Sequence, residues 1–278
     1  MPLHLDPNWP RASAWLRGET PGANRAQLTV VGAPVNQSIT PGRCDLAPAA
    51  IRAALDRFST YDFTTGLDIR DLTPNDLGDH LDVPQTNGPT VILGGDNSIT
   101  YPAVHAIGAA TLITFDAHLD LRDTDRGLTN GNPVRALLEH SFPGDRITQI
   151  GIQSFANSAA YAEVARRAGI HIVTAEEVHA RGIIPIVEEA LARATPPVYI
   201  DLDVDVLDRA FSPATPGSRP GGLFPWQMRI AARLCGASPK VRAMDIVEID
   251  PTKDIADMTC LAAASFLLSF ASGVLLSC

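Results

Sequence analysis

The chain has 278 residues and a formal net charge of −9 at pH 7. This length suits one α/β unit with a large buried core, so residues 1–278 are predicted to form a single domain. Nucleic acids and anionic membranes demand a basic face, so the acidic composition predicts no nucleic-acid or membrane partner.

Apolar runs alternate with helical patterns along the chain. Strands are predicted at 28–31, 91–93, 112–115, 147–150, 171–173, 198–200 and 241–247. Helices are predicted at 48–58, 99–109, 133–140, 158–168, 184–194 and 225–235. This alternation predicts βαβ units and a mostly parallel sheet covered on both faces, with ligands bound at the carboxyl ends of its strands.

Two later segments need separate interpretation. The Pro/Gly-rich stretch 212–222 is predicted to be an active-site loop rather than a domain boundary. Residues 258–278 carry no charged side chain and are long enough to span a membrane. Serines and Gly273 lower the hydrophobicity of this segment, so it is predicted to be a buried core helix rather than a membrane span.

Metal-type ligands stand at the ends of two predicted strands. Asp116, His118 and Asp120 occupy alternate positions after the strand at 112–115, and Asp203 and Asp205 repeat the arrangement after the strand at 198–200. Because side chains in extended backbone alternate with a period of two, each set is expected to point one way.

The charge of these ligands predicts bound cations. Four carboxylates brought close together repel one another, and two divalent cations would balance them and share a bridging hydroxide. Oxygen ligands with one imidazole suit manganese better than zinc or copper. The alternative is that the aspartates are only helix caps and loop carboxylates.

Segments spread over most of the chain resemble those of a known superfamily. The runs GGDNS (94–98), DAHLD (116–120), DVDVLD (203–208) and EIDP (248–251) resemble, in order and spacing, the signatures of the ureohydrolases, the arginase and agmatinase superfamily. The resemblance implies an arginase-like three-layer α/β/α fold with a mostly parallel sheet of about eight strands. It also implies a homotrimer or homohexamer and a pair of Mn²⁺ ions that deliver hydroxide to a C=N carbon.

The resemblance assigns the metal ligands residue by residue. Asp116 and Asp203 would bridge both ions, His118 and Asp205 would complete one site, and Asp120 would serve the other. Asn97 stands where the family usually has histidine. An amide oxygen is a poorer donor than imidazole, so one ion is expected to be held weakly. Asn97 either coordinates through its carbonyl or only caps the helix that follows it.

The segment after the first ligand cluster informs the substrate. Residues 116–122 and 127–133 resemble formimidoylglutamases more than arginases or agmatinases. N-formimidoyl-L-glutamate carries two carboxylates, and Arg122, Arg126 and Arg135 lie near the metal ligands in sequence. Arginine forks suit carboxylates, so Arg122 and Arg135 are predicted to bind substrate. The alternative is that these arginines pair with acidic neighbours on a solvated loop.

Further roles follow from the resemblance. Asn130 stands where arginases have a loop histidine often assigned to proton transfer. Asparagine cannot shuttle a proton near neutral pH, which argues against an arginase-style step, and Asn130 is predicted to bind substrate. Glu248 would bind the =NH₂⁺ end of an amidine, the alternative being a surface glutamate. Asp120 or a metal-linked water would transfer the proton. Glu248 and Asp120 are therefore the predicted catalytic residues.

The predicted activity is hydrolysis of N-formimidoyl-L-glutamate to L-glutamate and formamide in histidine degradation, so the partner is a small-molecule amidine. One alternative is an agmatinase or guanidino-acid hydrolase that releases urea. Another is a non-catalytic paralogue with an impaired metal site. The four cysteines show no metal-type spacing, and no signal segment is evident in residues 1–10, so a cytoplasmic location is expected.

Overall fold

The structure, a computed structural model, describes residues 6, 8–20, 22–24 and 26–278. Residues 1–5 and 7, part of the segment interpreted above as lacking a signal, lie outside the described residues. The strands are β1 (Ala26–Ala33), β2 (Tyr61–Asp62), β3 (Leu67–Asp68), β4 (Leu72–Asp79), β5 (Thr90–Gly94), β6 (Thr111–Phe115), β7 (Ile147–Ile152), β8 (His171–Thr174), β9 (Val198–Leu202) and β10 (Val241–Ile246). The helices are α1 (Ala12–Leu16), α2 (Ala47–Ala54), α3 (Thr100–Ile107), α4 (Pro133–Glu139), α5 (Ala159–Ala168), α6 (Ala175–Arg181), α7 (Ile183–Arg193), α8 (Pro225–Ala237) and α9 (Met258–Leu276).

The main sheet is parallel throughout. Within the described residues it has eight strands in the order β4-β1-β5-β10-β9-β6-β7-β8, and each neighbouring pair is parallel. The carboxyl ends of all eight strands therefore lie on one edge. The predicted parallel sheet of about eight strands is confirmed.

Apolar side chains alternate between the two faces of the sheet, and each face is covered. Val91 and Leu93 of β5 join one core with residues of α2, α7, α8 and α9, whereas Ile92 joins a second core with residues of α3, α4 and α5. Since strand side chains alternate, the strands of the main sheet other than β4 supply both cores. The arrangement is the predicted three-layer α/β/α fold.

The apolar C-terminal segment forms α9, which packs closely on α8. Glycines allow this approach: a Cβ on Gly236 would lie 2.2 Å from the Phe270 carbonyl oxygen, and one on Gly273 would lie 2.2 Å from the Arg233 carbonyl oxygen. Among the described residues α9 alone is long and apolar enough to cross a membrane, and 78% of its apolar window is buried in the protein. The prediction of a buried core helix fits this packing.

Several elements were absent from the predicted set. β4 (LTPNDLGD) pairs only with β1 at the edge of the sheet, so it needs no apolar run and tolerates Pro74. Helix α6 has only seven residues, too few for a clear helical pattern. Its one local signal is Thr174, which caps the helix by accepting a hydrogen bond from the Glu177 backbone N–H. Helix α1 and the two-stranded β2–β3 ribbon are shorter still.

Candidate metal centre and substrate pocket

The predicted site residues lie at the centre of the sheet edge. Asn97, Glu248, Asp203 and Asp116 follow β5, β10, β9 and β6, which are four adjacent strands. Parallel strands bring their carboxyl ends together, so residues far apart in sequence meet here.

Backbone N–H groups fix the carboxylates in place. Asp116 Oδ1 accepts from the His118 backbone at 2.6 Å, Asp203 Oδ1 from the Asp205 backbone at 2.8 Å, and Asp205 Oδ1 from the Ala117 backbone at 3.0 Å. Each of these aspartates keeps its second oxygen for other contacts. Asp116 Oδ2 is buried and has no hydrogen-bond partner among the described residues. A buried oxygen without a partner is costly unless a cation binds it.

Two groups of ligand atoms share Asp116. Ligand atoms of Asp116, His118 and Asp205 lie within 4.8 Å of one another, and so do those of Asp116, Asp120 and Asp203. The four aspartates are at most 8% exposed. Asp116 thus belongs to both groups, whereas Asp203 belongs to one. A bridging role for Asp203 stays a prediction.

Burial and mutual repulsion raise the pKa of several carboxyl groups in the cluster, so that in the absence of cations they tend to hold protons. Burial, reinforced by Asp205, raises the pKa of Asp116 to about 7, and burial also holds the pKa of Asp120 and Asp203 well above the usual range. The charge of Asp205 raises the pKa of His118 to about 12. His118 Nδ1 lies 2.8 Å from Asp205 Oδ2. Protons on the carboxyl groups and the charge on the imidazolium here neutralise the cluster, as bound cations would.

Asn97 lies at the cluster but is not a helix cap. The cap of the short 3₁₀ helix 97–99 is Asp96, whose Oδ1 accepts from the Ser98 backbone at 2.9 Å, so the capping alternative for Asn97 is wrong. The Asn97 amide nitrogen donates to Asp120 Oδ2 at 2.7 Å and to Asp203 Oδ2 at 3.3 Å. Its amide oxygen lies 2.7 Å from the Thr100 hydroxyl, whose single proton is donated either to it or to Asp245 Oδ2, 2.8 Å away. In this orientation Asn97 holds two carboxylates by donation, and ligation through its oxygen requires the amide to turn over.

A buried polar network lies next to Asn97. Asp245 Oδ2 lies 2.8 Å from the Thr100 hydroxyl and accepts from the Tyr199 hydroxyl at 2.7 Å, and its Oδ1 accepts from the Leu202 backbone at 3.1 Å. Burial and the neighbouring Asp245 raise the pKa of Asp201 well above its usual range. The network was missed in the sequence because Asp245 lies inside an apolar strand, and only the folded sheet brings it to α3.

Glu248 is buried and held in an uncommon backbone conformation. Its φ is +69°, and Asp120 has φ +50°, in the left-handed region where non-glycine residues are strained. Glu248 Oε1 accepts from the Asn97 backbone at 2.9 Å. Burial raises the pKa of Glu248 to about 8, opposed by hydrogen bonds from the Asn97 backbone and the Asn130 side chain. Glu248 is therefore not the surface glutamate of the alternative.

A cavity of about 160 Å³ opens above the cluster. Its lining includes ligand residues together with Glu248, Arg122, Asn130, Tyr161 and Arg219. The Arg122 side chain crosses Gly131, where a Cβ would lie 2.6 Å from Arg122 Cδ. Within the described part of the chain the Arg122 guanidinium has no hydrogen bond or ion pair, so its charge is available to a ligand.

The structure does not bring every predicted substrate residue into this cavity. Arg135 Nε donates to Glu139 at 2.6 Å, one turn along α4, and neither Arg135 nor Arg126 lines the cavity. Asn130 does line it, and its side-chain oxygen accepts from the Ile39 backbone at 3.0 Å. Arg219 was not singled out, although it is the only charged residue in the predicted active-site loop 212–222.

Residues 26–272 match the family model described as the Arginase family. The formimidoylglutamase of Halalkalibacterium halodurans is 37% identical over 274 residues, covering 88% of this chain and 86% of that protein. The crystal structure of the Bacillus subtilis formimidoylglutamase has a TM-score of 0.87 and 31% identity, covering 99% of this chain and 95% of that one. A Trypanosoma cruzi formiminoglutamase solved with Mn²⁺ shares the fold, with a TM-score of 0.84, 23% identity, and coverage of 96% and 98%.

Proposed function

The chain belongs to the arginase family, and we propose that it hydrolyses N-formimidoyl-L-glutamate to L-glutamate and formamide in histidine degradation. Similarity to the arginase family supports assignment as a hydrolase, and similarity to formimidoylglutamases supports this substrate. The observation that carries the choice is the guanidinium of Arg122, which lines the same cavity as the buried carboxylates and Glu248 without an acidic partner among the described residues. A cationic group there favours an anionic substrate.

The residues present fit a pair of divalent cations. Asp116 offers a buried oxygen without a hydrogen-bond partner, and the two ligand groups hold four carboxylates and one imidazole. We propose Mn²⁺ in both positions, held by Asp116, His118, Asp120, Asp203 and Asp205, with Asn97 at the more weakly held ion. When bound, such a pair lowers the pKa of a water molecule and so supplies the nucleophile.

The chain's own residues bind and orient the substrate. Glu248 places a carboxylate where an amidine can present its =NH₂⁺ group, and Asn130 lies beside it. Arg122 binds one substrate carboxylate, which fixes the amidine over the ligand cluster. Asp120 delivers the proton to the departing glutamate nitrogen.

The alternatives lack comparable support. Agmatine carries an amine where formimidoylglutamate carries carboxylates. That amine would be positively charged beside the Arg122 guanidinium, so the cavity disfavours agmatine. A non-catalytic paralogue would have no use for buried carboxylates, whose burial costs free energy. We further propose that residues 1–278 act as one catalytic domain in a homotrimer or homohexamer, without nucleic-acid or membrane partners, in the cytoplasm.

A substrate panel tests the proposal. With saturating Mn²⁺, wild type should release formamide and glutamate from N-formimidoyl-L-glutamate far faster than it releases urea from agmatine or guanidinobutyrate. Arg122→Met should raise KM for formimidoylglutamate, whereas Arg126→Met, outside the cavity, should not. Faster release of urea than of formamide would refute the proposed substrate, and turnover of none of the three would favour the non-catalytic paralogue.

A further inference from the structure

Arg219 reaches the cavity from a loop that lies directly against the ligand cluster. Gly217, two residues earlier, approaches Asp205 so closely that a Cβ there would lie 2.0 Å from Asp205 Oδ2. The loop therefore cannot withdraw from the cluster without losing this contact. Arg219 lines the same cavity as Arg122.

The hydrogen bonds of Arg219 leave one edge of its guanidinium open. Nη1 donates to three consecutive backbone carbonyls, those of Pro216, Gly217 and Ser218, at 3.4, 2.5 and 3.2 Å. Nε and Nη2 have no partner within the described residues, and no carboxylate there pairs with Arg219. The backbone contacts position the group, while the Nε–Nη2 edge retains the geometry that binds a carboxylate through two parallel hydrogen bonds.

The charges of the cavity match those of a dicarboxylate. Apart from the ligand His118, Arg122 and Arg219 are the only cationic side chains among the described residues that line it. N-formimidoyl-L-glutamate carries two carboxylates, and each of these two exposed arginines can pair with one of them. We infer that Arg219 is a specificity-determining residue that binds one of the two substrate carboxylates while Arg122 binds the other. The inference rests on the proposed function and adds a requirement for a diacid.

Binding of unreactive analogues tests this inference without turnover. N-formyl-L-glutamate has oxygen in place of the amidine nitrogen and keeps both carboxylates. N-formyl-4-aminobutyrate lacks the α-carboxylate, and N-formyl-L-glutamine lacks the side-chain carboxylate. Their affinities for Mn²⁺-loaded protein are measured by calorimetry for wild type, Arg219→Met, Arg219→Lys and Arg122→Met. The control is Arg209→Met, because Arg209 lies in the neighbouring loop, donates to the Thr215 carbonyl at 2.7 Å and does not line the cavity.

Wild type should bind the diacid about 10- to 100-fold more tightly than either monoacid, the range for a charge-assisted hydrogen-bonded pair. Arg219→Met should abolish this preference against one monoacid and Arg122→Met against the other, with partial recovery in Arg219→Lys. Arg209→Met should keep both preferences. The inference is overturned if wild type shows no preference, or if Arg219→Met leaves both preferences intact or weakens both equally. Formimidoylglutamate turnover, measured on the same preparations, reports separately on the proposed function.

Discussion

Replacing Gly217 with alanine should damage the metal centre through one added methyl group. Its Cβ would lie 2.0 Å from Asp205 Oδ2 and 2.9 Å from Asp205 Cγ, whereas Cβ atoms essentially never approach other atoms within 3.0 Å. Either the Asp205 carboxylate or the loop must therefore move by about 1 Å, against a tolerance of about 0.2 Å in metal–ligand distances. Because the Ser218 backbone N–H donates to the Thr215 carbonyl across Gly217 and the Arg219 guanidinium donates to the Gly217 carbonyl, we expect the carboxylate to move rather than the loop.

The expected result is a loss of about 10- to 100-fold in Mn²⁺ affinity for Gly217→Ala, the range found when the support of a metal ligand is disturbed. Calorimetric titration of metal-stripped protein measures it. Gly221→Ala is the matched control in the same loop: its φ is +94° and nothing lies within 4 Å of its Cβ position. That change should cost about 1 kcal/mol of folding free energy through backbone strain and leave metal affinity unchanged.

Two results would refute this reasoning. Wild-type metal affinity with a raised KM in Gly217→Ala would mean that the loop moves instead of Asp205. Equal losses of affinity in Gly217→Ala and Gly221→Ala would mean that general damage to the loop, and not the contact with Asp205, is responsible.

Three further predictions concern the cluster and its neighbours. Asn97→His should retain more Mn²⁺ after dialysis, by elemental analysis, because imidazole is the better ligand; unchanged content would exclude Asn97 from the metal site. Glu248→Gln should lower kcat/KM for formimidoylglutamate by about 10- to 100-fold above pH 8 without weakening Mn²⁺ binding, because above its pKa of about 8 Glu248 carries the charge that pairs with the amidine; a wild-type kcat/KM there would remove Glu248 from the mechanism. In metal-stripped protein, the thermal midpoint of wild type relative to that of Asp116→Asn should fall as pH rises from about 4 to about 7, since Asp116 with its raised pKa binds a proton more tightly folded than unfolded. The same comparison with His118→Gln should show a fall that extends to higher pH, because the pKa of His118 is also raised, and a constant difference in either comparison would contradict that assignment.

The clustering of the candidate ligands could be predicted from the sequence because each set directly follows a recognisable strand. Asp116 and Asp203 each follow an apolar strand, and parallel strands necessarily bring their carboxyl ends to one edge. The strand pattern likewise predicted the central sheet. β4 escaped detection because an edge strand that pairs on one side need not be apolar.

Other features depend on contacts that no local pattern encodes. The Asn97 amide contacts Thr100, which in turn contacts Asp245, and these residues come from different elements. Arg135 and Arg122 both follow the ligands closely in sequence, but the start of α4 directs Arg135 toward Glu139. Distance along the chain therefore could not separate the arginine that lines the cavity from the one that does not.

Reconstitution with Mn²⁺ tests whether metal bound at this cluster is required for hydrolysis of formimidoylglutamate. Mn²⁺ is titrated into metal-stripped protein while formamide, glutamate and bound metal are measured together. Equimolar formamide and glutamate are expected, released at a rate that rises with bound Mn²⁺ and is abolished by chelation. Release that is independent of metal, or no release at full occupancy, would contradict this expectation.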